Sequence, residues 1–288
     1  MSARILDGKR IAAEVIESLR PRIAALPRPP GLIVVLVGDD PASAIYVRNK
    51  TRMAAQLGFH HRQVILPADT PEAEVVALVR QLNADPQVDG VLVQLPLPPH
   101  IKKKHVLDEI LADKDVDGFH PLNAGLLQQK RPLLAACTPL GVMELLARTD
   151  VPLRGKDAVV IGRSNIVGRP MASLLNHADC TVTSCHRHTA DLAGHVARAD
   201  IVVSAAGVPE LVKGAWIKPG AVVIDVGMNR RDDGTLCGDV DFAAAAERAA
   251  WITPVPGGVG PMTIAMLMKN TVLAAEQHCA AAAPGAPT

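Results

Sequence analysis

A lysine one helical turn after the chain's single tyrosine is the first feature that could carry chemistry. The stretch SAIYVRNKTRMAAQLG, residues 43–58, holds Tyr46 and Lys50. Asp40 and Pro41 suit a helix start and Gly58 a stop. Wound at about 3.6 residues per turn, Tyr46, Val47, Met53, Ala54 and Leu57 share one face, with Lys50 in its middle. Arg48, Thr51 and Arg52 point away. A lysine at the edge of such a face snorkels to water, and the pattern also fits that reading. At the centre, burial works against the charged form of an ammonium group and makes it useful in proton transfer. Two more polar residues stand at element ends. Gln94 follows VLV and precedes LPLP. Asp117 lies in KDVDGF, where a carboxylate either meets a ligand or caps a turn before glycine.

A second chemistry is written in AVVIGRSNIVGRPMASLL. Strand, glycine turn and helix follow one another there, with Gly162 closing the strand, Ser164 small and Gly168 at the helix start. Small residues let backbone N–H groups approach a pyrophosphate, and a helix N-terminus favours its charge. The spacing departs from GxGxxG, and a plain tight turn fits the same residues. An acidic residue that would hold the ribose of NAD is absent from the next strand end, TSCHRHT. Arg187 stands there instead, and Arg163 lies in the turn. Together they suit a ribose phosphate, hence NADP; two merely exposed arginines are the alternative. VVSAAG and VIDVGMN end further strands in small residues, where a nicotinamide would lie, with Met228 beside it.

The elements that must position these residues alternate along the chain. An amphipathic helix carries Ile11, Val15, Leu19, Ile23 and Leu26. GLIVVLVGDD, HRQVILPAD and VDGVLVQLPLP read as strands, with helices after Asp40 and Thr70. KKKHVLDEILADKDVDGF reads as a helix entering a loop, and NAGLLQQKRPLLAACTP as irregular. A helix follows Thr138-Pro139. DAVVIG, CTVTSCH, ADIVVSAAG and GAVVIDVG are short apolar strands, WITPVPGGVGP a rigid turn-rich segment, MTIAMLMKNTVLAAEQH a long helix, and the final residues a frayed tail. This alternation implies parallel sheets covered by helices. The expected fold class is α/β in two lobes with a joint near residues 120–140 and the default site in the cleft between them.

Composition narrows the function. The 288 residues include 49% hydrophobic ones, enough for real cores, and a net charge of +1 leaves no electrostatic footprint for nucleic acid. No apolar run reaches membrane-spanning length, and MSARILDGKR has no signal-peptide core. Five scattered cysteines suit reduced thiols in a cytoplasmic protein. The ten histidines show no paired metal spacing, so no metal is expected.

YVRNK, VDGVLVQLPLP, DKDVDGFHPLNAG, CTPLGV, GRSNIVGRP, VIDVGMN, GDVDF and TPVPGGVGPMT occur in this order. Together they closely resemble the bifunctional methylenetetrahydrofolate dehydrogenase/cyclohydrolase family, from about Asp7 to about Glu276. The resemblance implies oxidation of methylenetetrahydrofolate with NADP and hydrolysis of the methenyl product to formyltetrahydrofolate. That chemistry supplies one-carbon units to purine, methionine and histidine synthesis. It implies an α/β folate-binding catalytic domain over 1–121 and a Rossmann-like NADP-binding domain over 122–288. The last helix, about 262–278, would pack back on the first domain, and the protein would be a homodimer through the second. Lys50 matches the family's catalytic lysine, Tyr46 and Gln94 its partners, and Asp117 the residue that holds the pterin. Pro256, Gly257, Gly258 and Thr263 would lie beside the folate, although a plain helix-entry turn fits them too. Gly162, Arg163, Ser164, Gly168, Arg187 and Met228 would meet the cofactor. Two other readings fit parts of the chain. A monofunctional NAD(P)-dependent dehydrogenase is opposed by the intact Lys50. A non-catalytic dinucleotide-binding sensor leaves Lys50, Gln94 and Asp117 without a use.

Overall fold

The computed structural model describes residues 2–282. In chain order the elements are β1 (Arg4–Ile5), α1 (Gly8–Ala24), β2 (Gly31–Val37), α2 (Pro41–Gln56), β3 (His60–Leu66), α3 (Glu72–Ala84), β4 (Gly90–Val93), α4 (Lys103–Leu107), α5 (Pro121–Gln128), α6 (Cys137–Leu146), β5 (Asp157–Ile161), α7 (Gly168–His177), β6 (Thr181–Cys185), α8 (Leu192–Arg198), β7 (Ile201–Ser204), β8 (Val222–Asp225), β9 (Asn229–Arg230), β10 (Leu236–Cys237), α9 (Phe242–Ala246), β11 (Trp251–Ile252) and α10 (Val259–Ala281). They form two compact units, one of residues 2–14 with Thr138–Ala265, the other of Val15–Cys137 with residues 266–282. A single cut at 121/122 does not describe this division. β1 pairs in parallel with β11, which takes the N-terminus into the unit of 138–265. Asn270 donates to the carbonyls of Val116 and Ala135, which ties residue 135 to the other unit. The expected frayed tail lies, from residue 283 on, outside the described residues. No helix among the described residues is long and apolar enough to cross a membrane.

The unit of 138–265 is built on a six-stranded parallel sheet in the order β1-β11-β8-β7-β5-β6. β7 and β8 are buried at every position, as strands covered on both faces must be. β6 and β7 flank β5 on opposite sides, so the strand order reverses at β5. A crevice opens outside the carboxyl ends of strands at such a point. β1, β9, β10 and β11 escaped the sequence pattern, since two-residue strands carry no periodicity.

The second unit has a three-stranded parallel sheet, β3-β2-β4. β2 is wholly buried at its centre, and β3 forms an exposed edge. Val75, Val79 and Leu82 of α3 pack with Ile33, Val35, Val91 and Val93 of β2 and β4 in one core. The order reverses again, here at β2, so the carboxyl ends of β2 and β4 border this unit's crevice.

Two segments differ from the sequence pattern. The helix from Lys102 stops at Leu107. Beyond it Lys114 Nζ donates to the Asn83 and Asp85 carbonyls at 2.8 Å, and Asp115 bridges to Val91. These bonds to the end of α3 and the edge of β4 take the place of further helical turns. The stretch read as irregular begins instead with α5. His120 Nδ1 accepts the Leu122 N–H and Pro121 sits at the first helical turn. Gly125 in mid-helix masks the periodicity.

A buried ion cluster fastens α10 within this unit. Asp89, 0% exposed, takes a bidentate pair from Arg28 at 2.6 and 2.7 Å, the Gly31 N–H at 2.7 Å and His278 Nδ1 at 2.9 Å. Burial pushes the Asp89 carboxyl up, but the bonds from Arg28, His278 and Gly31 and the Arg28 charge together hold its pKa at about 2. A carboxyl depressed in the folded state stabilises above its unfolded pKa, near 3.8, and loses that contribution as pH falls toward 2. Asp89→Asn is therefore expected to cost about 2 kcal/mol or more at pH 7 in urea unfolding. The difference from wild type should shrink as the pH is lowered from about 4 to about 2.

Candidate active site

α2 is capped as its sequence requires. Asp40 accepts the Ser43 N–H at 2.7 Å, Pro41 opens the helix, and Gly58 follows it at φ +74°. The buried stripe of the helix is Ser43, Val47, Lys50, Ala54 and Leu57. Lys50, 9% exposed, lies in that stripe. Tyr46 does not share it as the helical wheel suggested. It sits on the flank, 38% exposed, because the stripe is centred on Lys50 and Ala54. Partial burial raises its phenol pKa.

Lys50 Nζ donates to Gln94 Oε1 at 3.0 Å. Gln94 is the residue after β4, and its N–H makes the last rung to Val35. Its side-chain amide donates in turn to the Leu95 carbonyl at 2.7 Å. The amide oxygen is thereby aimed at the lysine. The pair stands at the carboxyl end of β4, where this unit's strand order reverses.

Asp117 answers Lys50 electrostatically. Burial pushes its carboxyl up to about 6, the Lys50 charge pulls the other way, and neighbouring Asp115 adds to the rise. Asp115 was not singled out in the sequence, yet it holds the loop. It is 2% exposed and accepts the His120 N–H at 2.7 Å and the Asn123 amide at 3.0 Å. Cys137 and Asn270 both donate to the Val116 carbonyl, which fixes the backbone before Asp117. Residues 115–118 form a turn closed by the Gly118 N–H on the Asp115 carbonyl, so no periodicity in the sequence marked Asp115.

The glycine turn after β5 builds a second site in the other unit. Gly162 has φ +118°, and a Cβ there would fall 2.2 Å from the Ala205 carbonyl oxygen. A Cβ on Gly168 would fall 2.1 Å from the Gly162 carbonyl oxygen. Only glycine permits this approach of turn, strand end and helix. Ser164 Oγ accepts the Val167 N–H at 3.2 Å and the Gly168 N–H at 3.4 Å, and its carbonyl accepts the Arg169 N–H at 3.0 Å, so Ser164 covers the start of α7. A pocket of about 640 Å³ opens here, and Gly162, Arg163, Ser164, His186, Arg187 and Ala206 are among its lining residues. No carboxylate belongs to the lining. Exposed arginines, a helix start and small residues fit a phosphate-bearing dinucleotide. Met228 is not among the lining residues; its methyl end lies where a Cβ on Gly260 would come within 3.4 Å.

Pro256, Gly257, Gly258 and Thr263 form one turn and helix entry in this same unit. The Val255–Pro256 bond is cis, as is Leu95–Pro96. Thr263 and Thr138 share a hydroxyl hydrogen bond of 2.9 Å. Among the described residues, no three or more of His, Cys, Asp and Glu are grouped to hold a metal ion.

Comparison with known proteins identifies two domains along the chain. Residues 6–117 match the catalytic domain of the tetrahydrofolate dehydrogenase/cyclohydrolase family, and residues 136–279 match its NAD(P)-binding domain. The bifunctional protein FolD of Methylobacillus flagellatus is 57% identical over 280 residues, covering 96% of this chain and 97% of its own. The crystal structure of the bifunctional methylenetetrahydrofolate dehydrogenase/cyclohydrolase FolD from Campylobacter jejuni superposes with a TM-score of 0.93 at 46% identity, over 96% of this chain and 99% of that one. The Trypanosoma brucei enzyme, complexed with NADP cofactor and an inhibitor, does so at 0.92 and 43%, over 96% and 98%.

The field between Lys50 and Asp117 is directly measurable. In a carboxylate ¹³C NMR titration, Asp117 is expected to show a midpoint near pH 6 in wild type. In Lys50→Met that midpoint should move upward, because the charge that favours the ionised form is gone. An unchanged midpoint would mean that the two groups do not feel each other.

Proposed function

The chain belongs to the tetrahydrofolate dehydrogenase/cyclohydrolase family, and from that premise we propose how its own residues carry both reactions. Methylenetetrahydrofolate is oxidised to the methenyl form with NADP⁺, and the methenyl form is hydrolysed to formyltetrahydrofolate. The observation that carries the proposal is the buried Lys50–Gln94 hydrogen bond facing the field of Asp117.

NADP, when bound, supplies the acceptor for the hydride. The carbon that loses it stands between two nitrogens, which stabilise the resulting cation, so this step asks the protein for positioning rather than for an acid or base. Asp117, ionised, accepts the amino group and the adjacent ring N–H of the pterin as a bidentate pair. Tyr46, on the flank of α2, stacks on the folate ring. Pro256, Gly257, Gly258 and Thr263 supply a rigid backbone wall for the same substrate. Arg163 and Arg187 hold the ribose phosphate, with Gly162, Ser164 and Gly168 around the pyrophosphate and Met228 toward the nicotinamide. The pocket lined by both arginines and by no carboxylate supports NADP over NAD.

Hydrolysis asks for proton transfers. Water adds to the cationic carbon and gives up a proton; the C–N bond to one ring nitrogen then breaks, and that nitrogen takes a proton. Lys50, held by Gln94 as an ammonium, gives a proton to that nitrogen, and the amine left behind takes up the one released by the added water. The protein acts as a homodimer through the domain of residues 122–288, in the cytoplasm, with no nucleic-acid or membrane partner. Its product feeds purine, methionine and histidine synthesis. Free thiols at all five cysteines and the near-neutral charge are compatible with that setting.

An absorbance time course with methylenetetrahydrofolate and NADP tests the assignment, with the products identified. Wild type is expected to release formyl product, and Lys50→Met to bind folate and stop short of it. Formyl product from Lys50→Met at the wild-type rate would remove Lys50 from the mechanism. Arg187→Ser is expected to raise the KM for NADP by about tenfold while leaving that for NAD nearly unchanged, the loss of one charge-assisted phosphate contact. Equal effects on both nucleotides would remove Arg187 from the phosphate site.

A further inference from the structure

GDVDF and VIDVGMN each contain an aspartate to which the proposed reactions assign no role. Both are buried, and they stand together at the carboxyl ends of β7 and β8. Asp239, 0% exposed, is the acceptor for five donors. Its Oδ2 takes the Ala206 N–H at 2.6 Å, the Gly207 N–H at 3.1 Å and the Ser204 hydroxyl at 3.2 Å. Its Oδ1 takes the Val208 N–H at 3.0 Å and the Asn229 amide at 2.9 Å. All of these donors are neutral. Three consecutive N–H groups converging on one point form a concavity suited to an anion, and the protein fills it with its own carboxylate.

What this carboxylate holds is the wall of the dinucleotide pocket. Ala206 and Val208 both line that pocket, together with Gly162 and Arg163. Asp239 is itself held from behind. Its N–H donates to Asp225 Oδ1 at 3.0 Å, and Asp225 also accepts the Gly227 and Val240 N–H groups. The packing leaves no slack, since a Cβ on Gly227 would fall 2.2 Å from Asp239 Oδ1. Asn229, on the strand that follows Met228, closes the other side.

We propose that Asp239 is a positioning residue for the nucleotide: its carboxylate fixes the 206–208 loop, so cofactor affinity depends on it while folate hydrolysis does not. The inference rests on the reading of this pocket as the NADP site. An amide in its place has the same shape but turns a donor toward donors, which leaves backbone N–H groups unpaired and frees the loop.

The test pairs a binding titration with two rates, on the full chain. Asp239→Asn is expected to raise the calorimetric Kd and the kinetic KM for NADP by about tenfold, with hydrolysis of supplied methenyltetrahydrofolate within about twofold of wild type. Asn229→Ala, which removes one donor and leaves the carboxylate, should raise the Kd by a smaller factor, about threefold. Unchanged NADP affinity in a folded Asp239→Asn protein overturns the inference, as does an equal loss of both activities. If Asp239→Asn does not fold, an unchanged Kd in Asn229→Ala overturns it. Should wild type bind NADP and turn nothing over, the enzyme reading fails while the titration still decides the role of Asp239.

Discussion

An ammonium group taken out of water needs a partner, and the site in the folate-type unit is organised around that need. Lys50 lies in the buried stripe of α2, where a leucine would pack without cost. Gln94 supplies an oxygen at 3.0 Å, and Asp117 supplies opposite charge. Each partner depends on further structure. Gln94 is aimed by the end of β4 and by its own bond to the Leu95 carbonyl. Asp117 is carried on a loop that Asp115, Asn123, Cys137 and Asn270 hold from the buried side. The carboxyl near pH 6 is the result of this confinement, because burial and Asp115 raise it while Lys50 opposes them. A group balanced in this way responds to small changes in its surroundings.

The same topological device appears in both units. A central parallel strand has its successor on one side and a later strand on the other, so two helices leave the sheet in opposite directions and a crevice remains at the carboxyl ends. In one unit this crevice is bordered by β2 and β4, and in the other by β5 and β7. Their chemistry differs. The first presents a lysine, an amide and a carboxylate. The second presents two exposed arginines and small residues beside a helix start, and no carboxylate.

Two buried carboxylates and one half-buried one serve three distinct purposes in this protein. Asp89 is paired with Arg28 and His278, and it fastens the last helix. Asp117 is left short of partners and stays titratable. Asp239 is saturated with neutral donors and shapes a loop. Residue type alone does not separate these roles; the count and charge of the donors around each carboxylate does.

The motifs were legible in the sequence because they are local. Asp40-Pro41 and Gly58 bound α2, the apolar runs of β2, β5, β7 and β8 declared themselves as covered strands, and Lys50 stood out by its place in a helical period. The family could be named from the order of short motifs. What depended on distant residues could not be read. β1 forms only because β11 lies beside it, the helix after Lys102 ends where Asp115 finds the edge of β4, and Tyr46 moves to the flank because the sheet receives a different arc of α2. Asp239 carried no local signal, because its partners are three N–H groups from residues 206–208. A chain determines its own periods, caps and charges. Which of its polar groups lose water, and what they meet when they do, is decided only when segments far apart in sequence are packed together.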